Sequence, residues 1–489
     1  MININNVNFS YGESSKKSLK NLNLHIKKGE FVVLLGSSGC GKTTVTRLIN
    51  GLIDEFYEGD FSGEVLIDDK DTKQVYVSEL SGIVGSVFQD PSSQFFTTDT
   101  NSELVFSCEN QGMKRENIAK NLDTIIKNFN IENLLDRNVF NLSSGEKQLI
   151  AIGCVSAYNP KILVFDEPSA NLDANSVVKL YEILKKLKSQ GYTIIIAEHR
   201  IHYLKNLCDR AILFKNGEIE REIKAENFAK LTNEECNNLG LRCIDLENIE
   251  LSKNTKNISK NKLSLENINF YFKKDKLVLK DVSIEFNSGE VVALIGKNGQ
   301  GKTTLTEIIC GLRKTKKGII KINDKKVNTK TLNKKTYLVM QTSEYQLFSD
   351  SVKNELSINN NYDYTKILNQ LNLGDLEERH PMSLSGGQKQ RLCIAVSFCN
   401  DADIVCLDEP TSGLDYENMC VVAEILQSQA KKEKIVIVIT HDYEFILKAC
   451  NKVIYLNDFS AEIIDVNGKS KSKINLLMST ERKNKFEKE

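Results

Sequence analysis

Nowhere in this 489-residue chain is there an apolar run long enough to span a bilayer. Notable apolar runs are FVVLLG from Phe31, TIIIA from Thr193 and KIVIVIT from Lys434. Such short runs suit buried parallel strands, which are apolar on both faces and so show no alternation. A role at a membrane would therefore run through a partner. The first residues, MININNVNFSYGE, have neither a basic start nor a long apolar stretch and do not read as a signal peptide. Net charge is also absent, with Lys+Arg and Asp+Glu both at 65. Neutrality removes the bulk electrostatic drive toward nucleic acid or anionic membrane, and no nucleic acid is expected as a partner. Local patches stay open, including the lysine-rich stretch after Gly468, which reads as a frayed, solvated end. The twelve cysteines contain no C-x-x-C pair. Cys154, Cys393 and Cys406 sit in apolar surroundings, so reduced, buried thiols are expected rather than a metal site.

What the chain does have, it has twice. GSSGCGKT comprises Gly36, Ser37, Ser38, Gly39, Cys40, Gly41, Lys42 and Thr43, with Thr44 following. GKNGQGKT comprises Gly296, Lys297, Asn298, Gly299, Gln300, Gly301, Lys302 and Thr303, with Thr304 following. Both satisfy the phosphate-loop pattern G-x-x-x-x-G-K-[ST], and each follows an apolar strand and opens a helical stretch. The glycines let backbone N–H groups turn inward around phosphate oxygens. The lysine reaches the β- and γ-phosphates, and the threonine hydroxyl can hold Mg²⁺. Two such loops point to paired nucleotide sites.

The two halves are in register. Lys42 and Lys302 lie 260 positions apart, whereas LSSGE and LSGGQ, ILVFDEP and IVCLDEP, and His199 and His441 all lie 242 apart. A constant offset over that stretch means a duplicated domain. The first half is longer between its early motifs, and the extra residues are expected in loops or peripheral strands. Leu251–Lys262 is polar, Lys/Asn-rich and aperiodic, and reads as a tether. The expected layout is a first domain over 1–240, a linker over 241–262, a second domain over 263–470 and a basic tail over 471–489.

These residues together resemble the nucleotide-binding domain of ABC transporters, here fused in tandem. LSGGQ upstream of an apolar strand ending in Asp-Glu is highly specific to that family. The resemblance implies two α/β P-loop domains, each with a parallel-sheet core, an antiparallel β subdomain and a helical signature subdomain. It implies ATP and Mg²⁺ as ligands. Asp166 and Asp408 would hold Mg²⁺ with Thr43, Thr303, Gln89 and Gln341. Glu167 and Glu409 would act as general bases on the attacking water. His199 and His441 would be switch histidines at the γ-phosphate, and Gln89 and Gln341 Q-loop sensors. Tyr11 and Phe272 would stack on adenine, with Phe9 and Phe270 as ordinary core aromatics. The signature loops, Ser143, Ser144, Gly145 and Glu146 in one half and Ser385, Gly386, Gly387 and Gln388 in the other, would each complete the opposite site. SANLD (Ser169–Asp173) and TSGLD (Thr411–Asp415) would be the D-loops. Ser144 and Glu146 depart from the favoured Gly and Gln, and Ser144 could crowd a phosphate or donate to it.

A second paired segment follows each Q-loop: SSQFFTTDTNSEL (Ser92–Leu104) and EYQLFSDSVKNEL (Glu344–Leu356). It resembles the energy-coupling factor (ECF) ATPases, where it receives a transmembrane scaffold, and AEHRIHYL after the first switch strand resembles the same group. The implied role is a peripheral ATPase on the cytoplasmic face of the cell membrane. It would serve an importer of a vitamin, vitamin precursor or metal ion, with a scaffold subunit and a separate substrate-binding membrane subunit. The halves would pair within one chain or with a second one. Sugar-type importers and soluble ABC proteins of ribosomes or RNA are the rival readings.

Overall fold

The continuous apolar runs become the central strands of two sheets, because a strand covered on both faces has no polar side. The computed structural model describes residues 1–12, 17–53, 55–252, 259–272, 277–358, 364–457 and 460–478. They divide into two units, one from Met1 to Asp245 and one from Leu246 onward.

The first unit contains β1 (Ile2–Tyr11), β2 (Leu19–Ile26), β3 (Phe31–Leu35), β4 (Gly59–Ile67), β5 (Lys70–Asp71), β6 (Val84–Val87), β7 (Ile162–Asp166), β8 (Thr193–Ala197), β9 (Arg210–Lys215) and β10 (Glu218–Lys224). Its antiparallel sheet has the order β2-β1-β4-β5. The larger sheet has the order β10-β9-β3-β8-β7-β6 and is parallel except at its β10 edge. Successive side chains of β3 feed two cores, as the pleat requires. Phe31, Val33 and Leu35 pack with the helices, while Val32 and Leu34 pack with the antiparallel sheet. β7 and β8 divide in the same way, with Phe165 and Ile196 on the helical side and Val164 and Ile195 on the other.

The second unit repeats the plan with β11 (Lys262–Tyr271), β12 (Leu277–Asn287), β13 (Val291–Ile295), β14 (Lys317–Ile322), β15 (Lys325–Lys326), β16 (Thr336–Val339), β17 (Ile404–Asp408), β18 (Ile435–Ile439), β19 (Lys452–Asn457) and β20 (Ser460–Asp465). The sheets run β12-β11-β14-β15 and β20-β19-β13-β18-β17-β16, the same order as in the first unit. The chain therefore has the expected tandem α/β P-loop architecture.

Three sequence-based expectations need correction. The first half's extra length is not confined to loops and peripheral strands. Between the Q-loop and the signature it builds helices of 11 and 15 residues, Thr100–Asn110 and Arg115–Phe129, against 6 and 6 residues for Val352–Ser357 and Thr365–Gln370. The expected linker over 241–262 begins inside packed structure, since Leu241, Cys243, Ile244 and Ile249 are all buried; residues 253–258 lie outside the described ones. The stretch after Gly468 is not simply frayed. Lys471–Met478 is a helix whose Ile474 is buried, and the Tyr443 hydroxyl donates to the Lys471 carbonyl at 3.0 Å. One well-placed isoleucine outweighs the surrounding lysines, whose charged heads stay in water. Residues 479–489 of the expected tail lie outside the described ones.

Neutrality also conceals segregation. Residues 51–80 carry nine acidic and two basic side chains, whereas the corresponding 311–340 carry ten basic and one acidic. Both stretches include the outer strands of the antiparallel sheets, β4–β5 and β14–β15.

Candidate functional site

Each phosphate loop leaves the C-terminal end of a central strand, β3 or β13, and enters a helix, Lys42–Ile49 or Lys302–Ile309. Gly36 has a φ of 133°, and a Cβ there would lie 2.3 Å from the Phe214 carbonyl oxygen on β9. The first loop is thus pressed against the neighbouring strand, a fit open only to glycine. Gly296 repeats this against the Leu456 carbonyl oxygen at 2.5 Å. Lys42 donates from Nζ to the carbonyls of Gly36 at 2.8 Å and Ser37 at 3.1 Å. Lys302 does the same to Gly296 at 2.7 Å and Lys297 at 3.1 Å. Both ammonium groups are therefore held inside their own loops, next to the inward-turned backbone that phosphate oxygens would meet.

The threonine of each loop meets the carboxylate at the end of a central strand. Thr43 Oγ1 donates to Asp166 Oδ1 at 3.1 Å, and Thr303 Oγ1 to Asp408 Oδ2 at 3.0 Å. A hydroxyl and a carboxylate so placed are the hard oxygen ligands that suit Mg²⁺. Burial and the adjacent Glu167 push the Asp166 carboxyl up to about 7, against the opposing pull of Thr43, Arg47 and Lys42. Burial likewise raises Asp408. The folded, metal-free chain keeps a proton on Asp166 that the unfolded chain releases near the ordinary value of 3.8. Its contribution to stability therefore falls as pH climbs from that value to about 7. Mg²⁺ needs the ionised carboxylate, so calorimetric titration should show affinity at this site rising from about pH 6 to pH 8.

The residue after each aspartate has an unusual backbone. Glu167 and Glu409 adopt φ values of 45° and 50°, the left-handed region that non-glycine residues seldom occupy. Their amides donate to the carbonyls of Ala197 at 2.8 Å and Ile439 at 2.9 Å on the neighbouring strands. In the first unit the expected residues converge. Gln89 Nε2 donates to Glu167 Oε2 at 2.9 Å, and His199 Nε2 lies 3.2 Å from Glu167 Oε1. In the second unit His441 Nε2 lies 3.7 Å from Glu409 Oε1, and its amide donates to Glu409 Oε2 at 3.3 Å. Gln341 is exposed just beyond β16.

The aromatic positions differ between the units. The Tyr11 hydroxyl lies 3.1 Å from Thr44 Oγ1 and accepts from Arg47 at 2.9 Å. The Arg47 guanidinium stacks 4.0 Å over the ring of Tyr57. Phe272 is half-exposed, with the Arg313 guanidinium 5.0 Å from its ring centre. Phe9 and Phe270 are core residues.

Both signature loops cap helices, Ser144–Ala157 and Gly386–Cys399, through matching capping boxes. The Ser143 amide donates to Glu146 Oε2 at 2.8 Å, and the Ser385 amide to Gln388 Oε1 at 2.9 Å. Against the burial that would raise it, hydrogen bonds from Ser143 and Arg137 hold the Glu146 carboxyl below its ordinary value. Glu146 therefore completes its cap as Gln388 does, with an added ion pair to Arg137 at 2.9 Å. Ser144 also has room, since a Cβ on the matching Gly386 would meet nothing within 4 Å. Its hydroxyl donates to the Asn171 carbonyl at 2.9 Å, within the D-loop of its own unit. Gly145 has no such freedom, because a Cβ there would lie 2.1 Å from Ser176 Oγ.

Behind each Q-loop, two polar side chains shape the paired segment. Gln94 accepts from the Phe88 amide at 2.9 Å and donates to the Ser86 carbonyl at 2.8 Å; Gln346 repeats this on Met340 and Leu338, both at 2.7 Å. Glu103 accepts from the amides of Phe96 at 3.1 Å and Thr97 at 2.7 Å, and Glu355 from Phe348 at 2.9 Å and Ser349 at 2.7 Å. The bound backbone turns Leu347 inward and leaves Phe96 and Phe348 77% and 82% exposed. Phe96 also stacks on Phe106 of the helix Thr100–Asn110, with ring centres 5.0 Å apart.

Sequence reasoning missed Arg47, Arg137, Glu198 and Arg200. The last two flank His199, and the 242-position offset sets them against Thr440 and Asp442. That mismatch was the available signal.

The ABC transporter family matches residues 19–170 and 279–412. A Treponema denticola protein provisionally named an ABC transporter ATP-binding protein is 42% identical, covering 98% of this chain and all of its own length. Bacillus subtilis YkoD, provisionally named an HMP/thiamine import ATP-binding protein, is 29% identical over 94% of this chain and 90% of its own. An archaeal ribosome recycling factor, aABCE1, superposes with a TM-score of 0.65 over 96% of this chain and 92% of its own. At 20% identity, that likeness is one of fold alone. Among the described residues, no helix is long and apolar enough to cross a membrane.

Proposed function

This chain belongs to the ABC transporter family, and from that premise we propose that it is the ATP-hydrolysing subunit of an ECF-type importer. The family implies ATP binding and hydrolysis in both units. In the first, Lys42 would exchange its loop carbonyls for phosphate oxygens. Glu167 would accept the proton of the attacking water, and His199 would hold the γ-phosphate beside it. Mg²⁺, held by Thr43 and Asp166 with Gln89, would shield charge developing on the transferred phosphoryl group. Lys302, Glu409, His441, Thr303, Asp408 and Gln341 would act in the same roles in the second. In this reading each phosphate loop is completed by the signature loop of the other half. ATP binding then closes the halves and hydrolysis reopens them.

The observation that carries the importer reading is the pair Phe96 and Phe348. Each is exposed on a backbone shaped by the same Gln and Glu, close behind a residue that would sense nucleotide. Large aromatics held out in this way suit the apolar face of a partner's helix. The import role named for YkoD supports the same reading and suggests a vitamin precursor as cargo. The test is affinity purification from detergent extract. Recovery of a small polytopic membrane protein is expected, and its loss when Phe96 and Phe348 are both changed to Asp. Recovery of ribosomal particles in its place would overturn the proposal.

A further inference from the structure

His199 sits between two charged side chains that the catalytic scheme does not use, and both grip the D-loop of the same unit. Glu198 is only 2% exposed. Its Oε1 accepts from the amides of His199 at 2.8 Å and Arg200 at 3.2 Å, and its Oε2 from the Ser169 amide at 3.3 Å and the Tyr203 hydroxyl at 2.7 Å. Four donors compensate a carboxylate that would otherwise be costly to bury. Arg200 reaches the same loop with the opposite charge, donating to the carbonyls of Leu172 at 3.1 Å and Ser169 at 3.4 Å. A carboxylate and a guanidinium on either side of the histidine thus hold the loop at its first and fourth residues.

The second unit is built differently at the corresponding positions. Thr440 replaces Glu198, and Asp442 replaces Arg200. Asp442 accepts from the Thr411 hydroxyl at 3.0 Å and caps the following helix through the Phe445 amide at 3.1 Å. The cation near this D-loop comes instead from Arg391, buried on the signature helix and within the field of Asp415. Leu149 holds that position in the first unit. The D-loop cation therefore comes from the switch in the first unit and from the signature helix in the second.

We propose that Arg200, seconded by Glu198, is a positioning residue that couples the His199 switch to the D-loop Ser169–Asp173. Occupancy of the first unit's phosphate loop is thereby passed to the loop that, in the head-to-tail reading above, borders the other ATP site. The inference rests on that reading. Any shift of His199 toward a γ-phosphate displaces Glu198 and Arg200 with it, and so displaces Ser169 and Leu172. Communication from the first unit therefore runs through this two-sided clamp, where the second unit ties its switch to its D-loop through Asp442 and Thr411 instead.

The experiment is ATP hydrolysis by the full chain as a function of ATP concentration, for the parent and for Arg200→Met, Arg200→Lys and Glu198→Gln. The parent should be sigmoidal, with a Hill coefficient clearly above 1. Arg200→Met should lower it to about 1 with an unchanged melting temperature, a pattern that loss of folded protein does not produce. Arg200→Lys, which keeps the charge on a shorter side chain, should fall between them, and Glu198→Gln should move in the direction of Arg200→Met. A Hill coefficient unchanged in folded Arg200→Met, or a parent that is hyperbolic, overturns the coupling and leaves the ATPase reading standing. Absence of hydrolysis in the parent overturns both.

Discussion

Changing Glu167 and Glu409 together to Gln is expected to lower ATP turnover by about 10²–10⁴-fold, the usual contribution of a general base. ATP binding should survive, because glutamine keeps the size and hydrogen-bonding reach of the side chain while losing its basicity. Steady-state phosphate release with a nucleotide-binding assay on the same preparation checks both halves of this expectation. The single variants carry more information. Glu167 stands beside a complete set of partners, with Gln89 at 2.9 Å and His199 at 3.2 Å, whereas His441 stands 3.7 Å from Glu409. Glu167→Gln should therefore leave less turnover than Glu409→Gln. The reverse order would mean that the second unit's phosphate loop belongs to the faster site.

Gly36→Ala is expected to destabilise the first unit by about 3 kcal/mol or more, combining a forbidden backbone conformation with an overpacked contact. The new Cβ would lie 2.3 Å from the Phe214 carbonyl oxygen, which is main chain in a central sheet and cannot swing aside. Gly39→Ala is the control. Gly39 also has a positive φ, of 76°, but a Cβ there meets nothing within 4 Å. It should lose only roughly 1–2 kcal/mol, the left-handed backbone term alone. By the usual scaling for units of this size, Gly36→Ala should melt roughly 6–12 °C below the parent. Equal melting temperatures for the two variants would show that contact with β9 does not restrain the loop.

Much of this could be read from the chain because the relevant residues are contiguous. The phosphate loops, ILVFD and IVCLD and the histidines after β8 and β18 are short runs whose neighbours in sequence are also their neighbours in space. The duplication supplied a second copy against which to check each one. What escaped notice acts across distance. Glu198 and Arg200 matter through a loop some thirty residues earlier, and no local pattern marks that contact. Glu146 looked like a departure from a phosphate-binding motif, but it is a helix cap backed by Arg137. In Leu347 and Phe348, adjacent apolar residues face opposite ways because Gln346 and Glu355 shape the backbone between strand and helix. The burial of Ile474 depends on a surface that its own lysine-rich segment does not describe. The zero net charge was a sum, and it hid an acidic stretch in one unit and a basic one at the matching place in the other.

The left-handed backbone at Glu167 and Glu409 bears on how a duplicated ATPase can drift. A glutamate codon becomes a glycine codon by a single base change. Glycine is the residue that this φ favours, so the substitution that deletes a general base also relaxes its backbone. Loss of one site by that route passes through no unfolded ancestor and is invisible to selection on folding alone. The phosphate-loop glycines offer no such route, since their replacement damages fold and chemistry together. In a lineage released from the need for two working sites, the glutamate is therefore the position at which decay should begin, with the surrounding cradle outlasting the chemistry it once served.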